Sequence, residues 1–99
     1  MDRRVSLDSY VIDVLMPDLV GHDRRPAAFL VYVFVWSKTL GAGKKTVHLS
    51  YQRLVEGTGL SKSAVQAAVR ALVRRQLLRV EKPSATAVPR YAACRPWVR

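Results

Sequence analysis

Residues 50–78, SYQRLVEGTGLSKSAVQAAVRALVRRQLL, have the pattern of two short helices separated by a glycine-containing turn. Ser50 and Ser61 stand at N-cap positions, because a serine hydroxyl can accept a hydrogen bond from an unpaired N–H of a first helical turn. Neither serine has a glutamate or glutamine three residues later, so neither can form a capping box. Glycine adopts positive φ at no steric cost, so Gly57 and Gly59 predict a sharp turn between two crossing helices.

The second of these helices has an apolar stripe and an opposite cationic face. The stripe follows the i, i+3, i+4, i+7, i+8 spacing of a face packed on a core, and consists of Val65, Ala68, Val69, Leu72 and Val73. The opposite face contains no carboxylate and consists of Lys62, Ser63, Gln66, Ala67, Arg70 and Arg74. Gln66 can pair with adenine and Arg70 with guanine in the DNA major groove. The alternative is that these polar residues only solvate an amphipathic helix.

The order of elements resembles the winged helix-turn-helix of bacterial regulators. A strand-like segment, Thr46 to Leu49, precedes the two helices, and Arg79-Val80-Glu81 follows them. MarR-type and GntR-type repressors, and some plasmid and phage replication initiators, have similar patterns of glycine, leucine, serine and a helix ending in a leucine pair. The resemblance covers about residues 46–94. It implies that the second helix reads the major groove and that a following β-hairpin, the wing, touches the backbone or minor groove. It assigns base-facing positions to Lys62, Ser63, Gln66 and Arg70.

The length and hydropathy of the chain indicate one folded domain. The chain has 99 residues, enough for a modest single core, and 49% of them are apolar. The longest apolar run, Ala27 to Trp36, is ten residues, about half of what a helix needs to span a bilayer. Asp8 and Asp13 interrupt the apolar residues that follow the N-terminal arginines, so no secretory signal is expected. We therefore expect a cytoplasmic location.

The net charge of +10 lies in one half of the sequence. Residues 1–43 hold five basic and five acidic residues, so that half sums to zero. Residues 44–99 hold twelve basic residues against Glu56 and Glu81, and therefore carry all ten net charges. A basic surface that coincides with a groove-reading motif favours nucleic acid as the partner over an acidic protein or an anionic membrane.

Two helices are predicted before this basic half. The first starts at Ser6 or Asp8 and runs through residue 16, because Pro17 limits it. Residues 18–23 are expected to form a short connection, with one further turn closed by Gly21 as the alternative. The second is capped by Asp23, has Pro26 in its first turn and runs to about residue 40.

The middle of the second helix is apolar on every face, so a buried strand is its competitor. A helix of this kind must be covered on all sides, which a small domain can hardly do alone. We therefore predict a homodimer whose interface combines the two N-terminal helices, at Leu7, Val11, Phe29, Val33 and Trp36. The alternative is that the first helix alone covers the remaining face.

The segment after the second helix of the pair predicts a wing. Strands are expected from Leu78 to Lys82 and from Arg90 to Cys94, with the proline-bounded segment 83–89 at the tip. Trp97 is expected to pack on the domain instead of stacking on a base. The predicted DNA-backbone contacts are Lys44, Lys45, Arg53, Arg74, Lys82 and Arg90.

The chemical inventory gives no support to an enzyme. Cys94, with only His22 and His48 available, cannot complete a zinc site, and GAGKKT lacks the spacing of a phosphate-binding loop. No metal, cofactor or catalytic residue is therefore expected. The predicted fold is mostly α with a small β-hairpin (α+β). It is a single winged helix-turn-helix domain in which residues 1–43 dimerise and residues 44–99 bind DNA.

The leading functional hypothesis is a small dimeric transcriptional regulator that binds double-stranded DNA. The alternatives are a replication-initiator or phage-type DNA-binding module, and a winged helix that binds proteins. The sequence indicates no effector pocket, so control by a small molecule stays unknown.

Overall fold

Helices form most of the structure, and a small antiparallel sheet completes it. The computed structural model describes residues 3–98. Its first part is a helical segment over residues 9–22, with π-helical turns at Val11–Leu15 and Asp18–His22. The other elements in chain order are α1 (Pro26–Lys38), a 3₁₀ turn (Leu40–Ala42), β1 (Val47–His48), α2 (Tyr51–Thr58), α3 (Lys62–Arg74), β2 (Leu78–Glu81) and β3 (Arg90–Ala93). The predicted α+β fold class is confirmed.

Helix α1 is the central element. It contacts the N-terminal helical segment, α2, α3 and β3. The buried residues lie on several of its sides, and they are Ala28, Val31, Tyr32, Val35 and Trp36. Because residues 26–38 form an α-helix, the alternative prediction of a buried strand is wrong. The prediction that Asp23 caps α1 is also wrong. Arg25 occupies the N-cap position of α1 without a side-chain hydrogen bond, and Asp23 pairs with Arg75 instead.

The N-terminal segment continues past Pro17, where the sequence predicted an end. Pro17 has φ of −64° and ψ of −30°, helical values that its ring permits. π-Helical turns precede and follow it, with Met16 donating to the Val11 carbonyl and Asp23 to the Asp18 carbonyl. Pro17 has no N–H to donate, so the helical segment continues through it without a hydrogen bond from its nitrogen.

The three strands form a sheet in the order β1-β3-β2, with both pairs antiparallel. One row across the sheet joins Val47, Tyr91 and Val80, and the next joins His48, Arg90 and Glu81. Tyr91 is buried, and burial raises its pKa to about 12. The His48 row is exposed, so the sheet has one face on the core and one in solvent. The predicted wing is confirmed, and the strand-like segment at Thr46 to Leu49 contributes β1, which pairs with β3 of the wing.

Both ends of the described chain are bound to α1. The Tyr32 hydroxyl donates to the Cys94 carbonyl at 2.8 Å, and burial raises the pKa of this tyrosine. The Trp36 indole N–H donates to the Ser6 carbonyl at 2.7 Å. Trp97 stacks on Tyr10 with ring centroids 4.4 Å apart, which confirms that it packs on the domain. Over residues 3–98, no helix is long and apolar enough to span a membrane.

Candidate nucleic-acid interface

The α2–α3 pair is held by caps that the sequence predicted. The Ser50 hydroxyl accepts a hydrogen bond from the Arg53 N–H at 3.1 Å, and the Ser61 hydroxyl accepts one from the Ala64 N–H at 3.2 Å. Gly59 ends α2 in the left-handed region, with φ of 78°. The two serine caps stabilise the first turns of α2 and α3, and Gly59 ends α2 shortly before α3 begins.

Gly57 has a different role from the one predicted. It lies inside α2, and a Cβ added there would lie 2.2 Å from the nearest atom of the Phe34 ring. Its small size therefore allows α2 to approach α1 closely. The sequence could not indicate this role, because Phe34 is distant along the chain.

Helix α3 packs its apolar stripe on the core. Val65, Ala68, Val69 and Leu72 are buried, as predicted, and Ala71 is buried beside them. Val73 is the exception, because 44% of its surface is exposed. The stripe fixes which side of α3 is turned outward.

The outward side of α3 carries the four predicted base-facing residues. Lys62, Ser63 and Arg70 are exposed and Gln66 is half-buried. The Ser63 and Ser61 hydroxyl oxygens are 3.3 Å apart, so Ser63 also belongs to the helix cap. In the described chain, no carboxylate lies within ion-pair distance of Lys62 or Arg70. These two cations are thus available to an external anion.

The predicted backbone cations are all exposed, but they are not equivalent. Lys44 and Lys45 lie in the loop before β1, Arg53 is in the first turn of α2, and Arg74 is the last residue of α3. Lys82 directly follows β2. These five cations have no carboxylate partner among residues 3–98.

Arg90 is the predicted cation that has a partner. Its guanidinium donates to the Glu81 carboxylate at 2.6 Å, and the Arg79 guanidinium lies 3.7 Å from the same carboxylate. The hydrogen bond from Arg90 lowers the pKa of Glu81, which keeps this carboxylate charged. Glu81 therefore partly neutralises the wing where the sequence predicted a phosphate contact.

Arg75 forms a cluster of ion pairs that the sequence did not predict. It caps the C-terminal end of α3, and its guanidinium donates to the carboxylates of Asp18 and Asp23. A hydrogen bond with His22, 3.0 Å away, and those from Arg75 lower the pKa of Asp23. The carboxylate oxygens of Asp18 and Asp23 and a ring nitrogen of His22, atoms that could bind a metal ion, lie within 4.8 Å of one another. The bonds from Arg75 explain why the two carboxylates converge there.

Arg24 and Arg25 were also missed. Both line a groove together with Ala64 and Ala67, so they lie beside α3. They precede Pro26 as an adjacent basic pair, a signal present in the sequence but hidden by the zero net charge of residues 1–43.

The predicted dimer residues divide into two groups. Val11 and Trp36 are 0% and 2% exposed within a single chain, so the structure removes them from a surface that a second copy could contact. Leu7, Phe29 and Val33 are half-buried. Phe29 and Val33 line an apolar groove beside Leu30, which is 46% exposed.

The comparisons with known proteins point to one family. The family described as Bacteriophage replication protein O matches residues 11–93, which is most of the chain. No curated protein and no solved structure matches. The match supports a DNA-binding, replication-related function, which was the alternative hypothesis. It does not support transcriptional regulation or a specific relation to MarR-type and GntR-type repressors.

Proposed function

This chain belongs to the bacteriophage replication protein O family, and from that premise we propose that it binds double-stranded DNA sequence-specifically in replication initiation. Helix α3 enters the major groove, and the wing lies on the adjacent backbone. The replication-initiator alternative thus replaces the regulator hypothesis.

The outward face of α3 is the observation that carries this proposal. A helix fits the major groove when its exposed side offers donors and acceptors to base edges. Gln66 offers an amide and Arg70 a guanidinium, and the buried stripe on the opposite side keeps both turned outward. Lys62 and Ser63 precede them in the first turn.

Phosphate contacts supply most of the affinity in this proposal and base contacts supply the discrimination. The phosphate contacts are assigned to the exposed cations around α3 and the wing, namely Lys44, Lys45, Arg53, Arg74, Lys82 and Arg90. Arg90 contributes least of these, because Glu81 competes for its guanidinium.

We further propose that two copies bind together, as the two-fold symmetry of many groove-reading proteins suggests. The supporting observation is the apolar groove at Phe29, Leu30 and Val33, which contains no charged side chain. In this arrangement residues 1–43 contribute the dimer contacts and residues 44–99 the DNA contacts. No catalytic role, cofactor or metal is assigned to the chain.

The experiment that tests this proposal is a selection of bound duplexes from a random-sequence pool, repeated at two salt concentrations. An inverted repeat with half-sites about ten base pairs apart is expected. Recovery of no preferred sequence, with binding that collapses as salt rises, would leave only non-specific phosphate binding.

Two variants then separate base contacts from phosphate contacts. Arg70→Ala is expected to relax the preference at one position of each half-site, at a cost of about 1–3 kcal/mol per base contact. Lys82→Ala, which removes a cation from the wing, is expected to weaken binding to all sequences alike. Identical behaviour of the two variants would contradict this division of roles.

A further inference from the structure

Two cations converge on one aromatic ring at the junction of α1 and α2. The Lys38 ammonium lies 5.4 Å from the centre of the Phe34 ring, and the Arg53 guanidinium lies 6.0 Å from it. The negative face of an aromatic ring attracts a cation, so Phe34 holds the two side chains near each other despite their mutual repulsion.

This pair of cations has no counter-charge within the described part of the chain. Over residues 3–98, neither Lys38 nor Arg53 lies within ion-pair distance of a carboxylate. Partial burial, together with the positive charges of Arg3 and Arg53, lowers the pKa of Lys38. The arrangement therefore concentrates positive charge that nothing in the described chain offsets.

The helix dipoles explain only half of this arrangement. Lys38 is the last residue of α1, where a cation is favoured by the negative end of the helix. Arg53 is in the first turn of α2, where the positive end of the helix disfavours a cation. Its presence there needs another reason, and an external anion would supply one.

A groove between four parts of the fold exposes these cations. Its lining includes Lys38 from α1, His48 from β1, Arg53 from α2 and Val88 from the wing loop. His48 also lines a second groove, which contains Lys82 and Arg90 at the base of the wing. The register of the sheet places His48 beside Arg90. The two grooves thus form one surface that continues from the wing to α1.

We propose that Lys38, Arg53 and His48 form a phosphate-binding site for the phosphodiester backbone of nucleic acid. Lys38 and Arg53 supply the charge, Phe34 orients them, and His48 connects the site to the wing. The inference rests on the proposed DNA binding and extends the contact surface to α1, a helix whose half of the sequence carries no net charge.

The test uses the full chain and a labelled duplex of mixed sequence, with fluorescence anisotropy measured at several salt concentrations. The variants are Lys38→Gln, Lys38→Arg and Arg53→Gln. The matched control is Arg95→Gln, which also removes one positive charge but from an arginine paired with Asp8 at 3.3 Å. Thermal unfolding of each variant checks that it is folded.

Loss of one phosphate contact is expected to reduce the slope of log K against log salt by about 0.9 in magnitude. If the variant and the unmodified protein bind equally at 1 M salt, this change of slope makes the variant bind about 8-fold more weakly than the unmodified protein at 0.1 M. Lys38→Gln and Arg53→Gln are each expected to show this loss, whereas Lys38→Arg and Arg95→Gln keep the slope of the unmodified protein.

The possible outcomes separate this inference from the function on which it rests. Failure of the unmodified protein to bind any duplex refutes the proposed function. If the unmodified protein binds but Lys38→Gln keeps the salt slope of the unmodified protein, only the Lys38 site is refuted. The same conclusion holds when Arg53→Gln alone reduces the salt slope.

A second titration distinguishes nucleic acid from a free anion. Inorganic phosphate is added at constant ionic strength while the amide resonances of residues 48–53 are followed by NMR. Weak shifts that saturate only at high phosphate, together with the altered salt slope, support a backbone site. Tight phosphate binding with an unaltered slope would show a free-anion site and overturn the nucleic-acid assignment.

Discussion

Glu81 is expected to restrain DNA binding by the wing, and Glu81→Gln should therefore tighten it. The Glu81 carboxylate accepts a hydrogen bond from Arg90 at 2.6 Å and lies 3.7 Å from Arg79. All three side chains are exposed, so the substitution leaves the core unchanged. The amide keeps the shape of the side chain and removes its charge, which frees Arg90 for a phosphate and removes a repulsive neighbour.

The size of the effect follows from counterion release. If Arg90 gains one full phosphate contact, the slope of log K against log salt becomes steeper by about 0.9. At 0.1 M salt this corresponds to about 8-fold tighter binding, and the gain disappears as salt approaches 1 M. Because a phosphate contact carries no sequence information, the preferred duplex should not change.

The assay is fluorescence anisotropy with a labelled duplex across a salt series. Glu56→Gln is the matched control, because Glu56 is the other carboxylate of residues 44–99 and its substitution gives the same net charge. Glu56 accepts a hydrogen bond from Gln52 at 3.2 Å and pairs with no cation among residues 3–98. Equal tightening by both variants would attribute the effect to overall charge and refute the specific role of the Glu81–Arg90 pair.

Two further predictions concern the supports of the α2–α3 pair. Gly57→Ala places a Cβ 2.2 Å from the Phe34 ring. Its overpacking cost of about 1–3 kcal/mol should exceed the gain of about 1 kcal/mol in helix propensity, whereas in a Phe34→Ala background only the gain should remain. Urea denaturation measures both, and equal effects would mean that the ring yields freely. Arg75→Gln should lower the free energy of unfolding by about 1 kcal/mol at neutral pH, because it breaks two partly exposed ion pairs. Since the pKa of Asp23 is lowered by folding, this contribution is present above the ordinary aspartate pKa of about 3.9 and is lost as the pH falls through the lower folded value. Denaturation curves of the two proteins should therefore converge in acid, and a constant difference would contradict the role of Asp23.

The sequence predicted best those features that depend on near neighbours along the chain. The caps at Ser50 and Ser61 each join residues three positions apart, and the left-handed Gly59 ends a helix by itself. Gly57 was assigned wrongly because its reason is the Phe34 ring, which only the packing of α1 on α2 brings near. A glycine pattern alone does not separate a need for positive φ from a need for space.

Which parts of the chain pack on α1 was harder to predict, because this also depends on contacts between residues that are distant in sequence. Its composition correctly indicated a helix that must be covered on several sides. The N-terminal helix was predicted to end before Pro17, so the part of α1 that the same chain covers was underestimated. With the helical segment continuing to His22, Val11 and Trp36 are buried within one copy. A dimer therefore depends on the smaller surface around Phe29 and Val33.

The distribution of charge shows the limit of reading a binding surface from sequence sums. Residues 44–99 carry the net charge of +10, but the folded chain mixes the two halves. Arg75 and Arg95 bind carboxylates of the N-terminal half, so they position elements and are less available to an anion. Conversely, Lys38 comes from the half with no net charge and lies near the same ring as Arg53, which has no carboxylate partner among residues 3–98. The surface that a polyanion meets is set by which cations lack a carboxylate partner, and that pairing is decided by tertiary contacts.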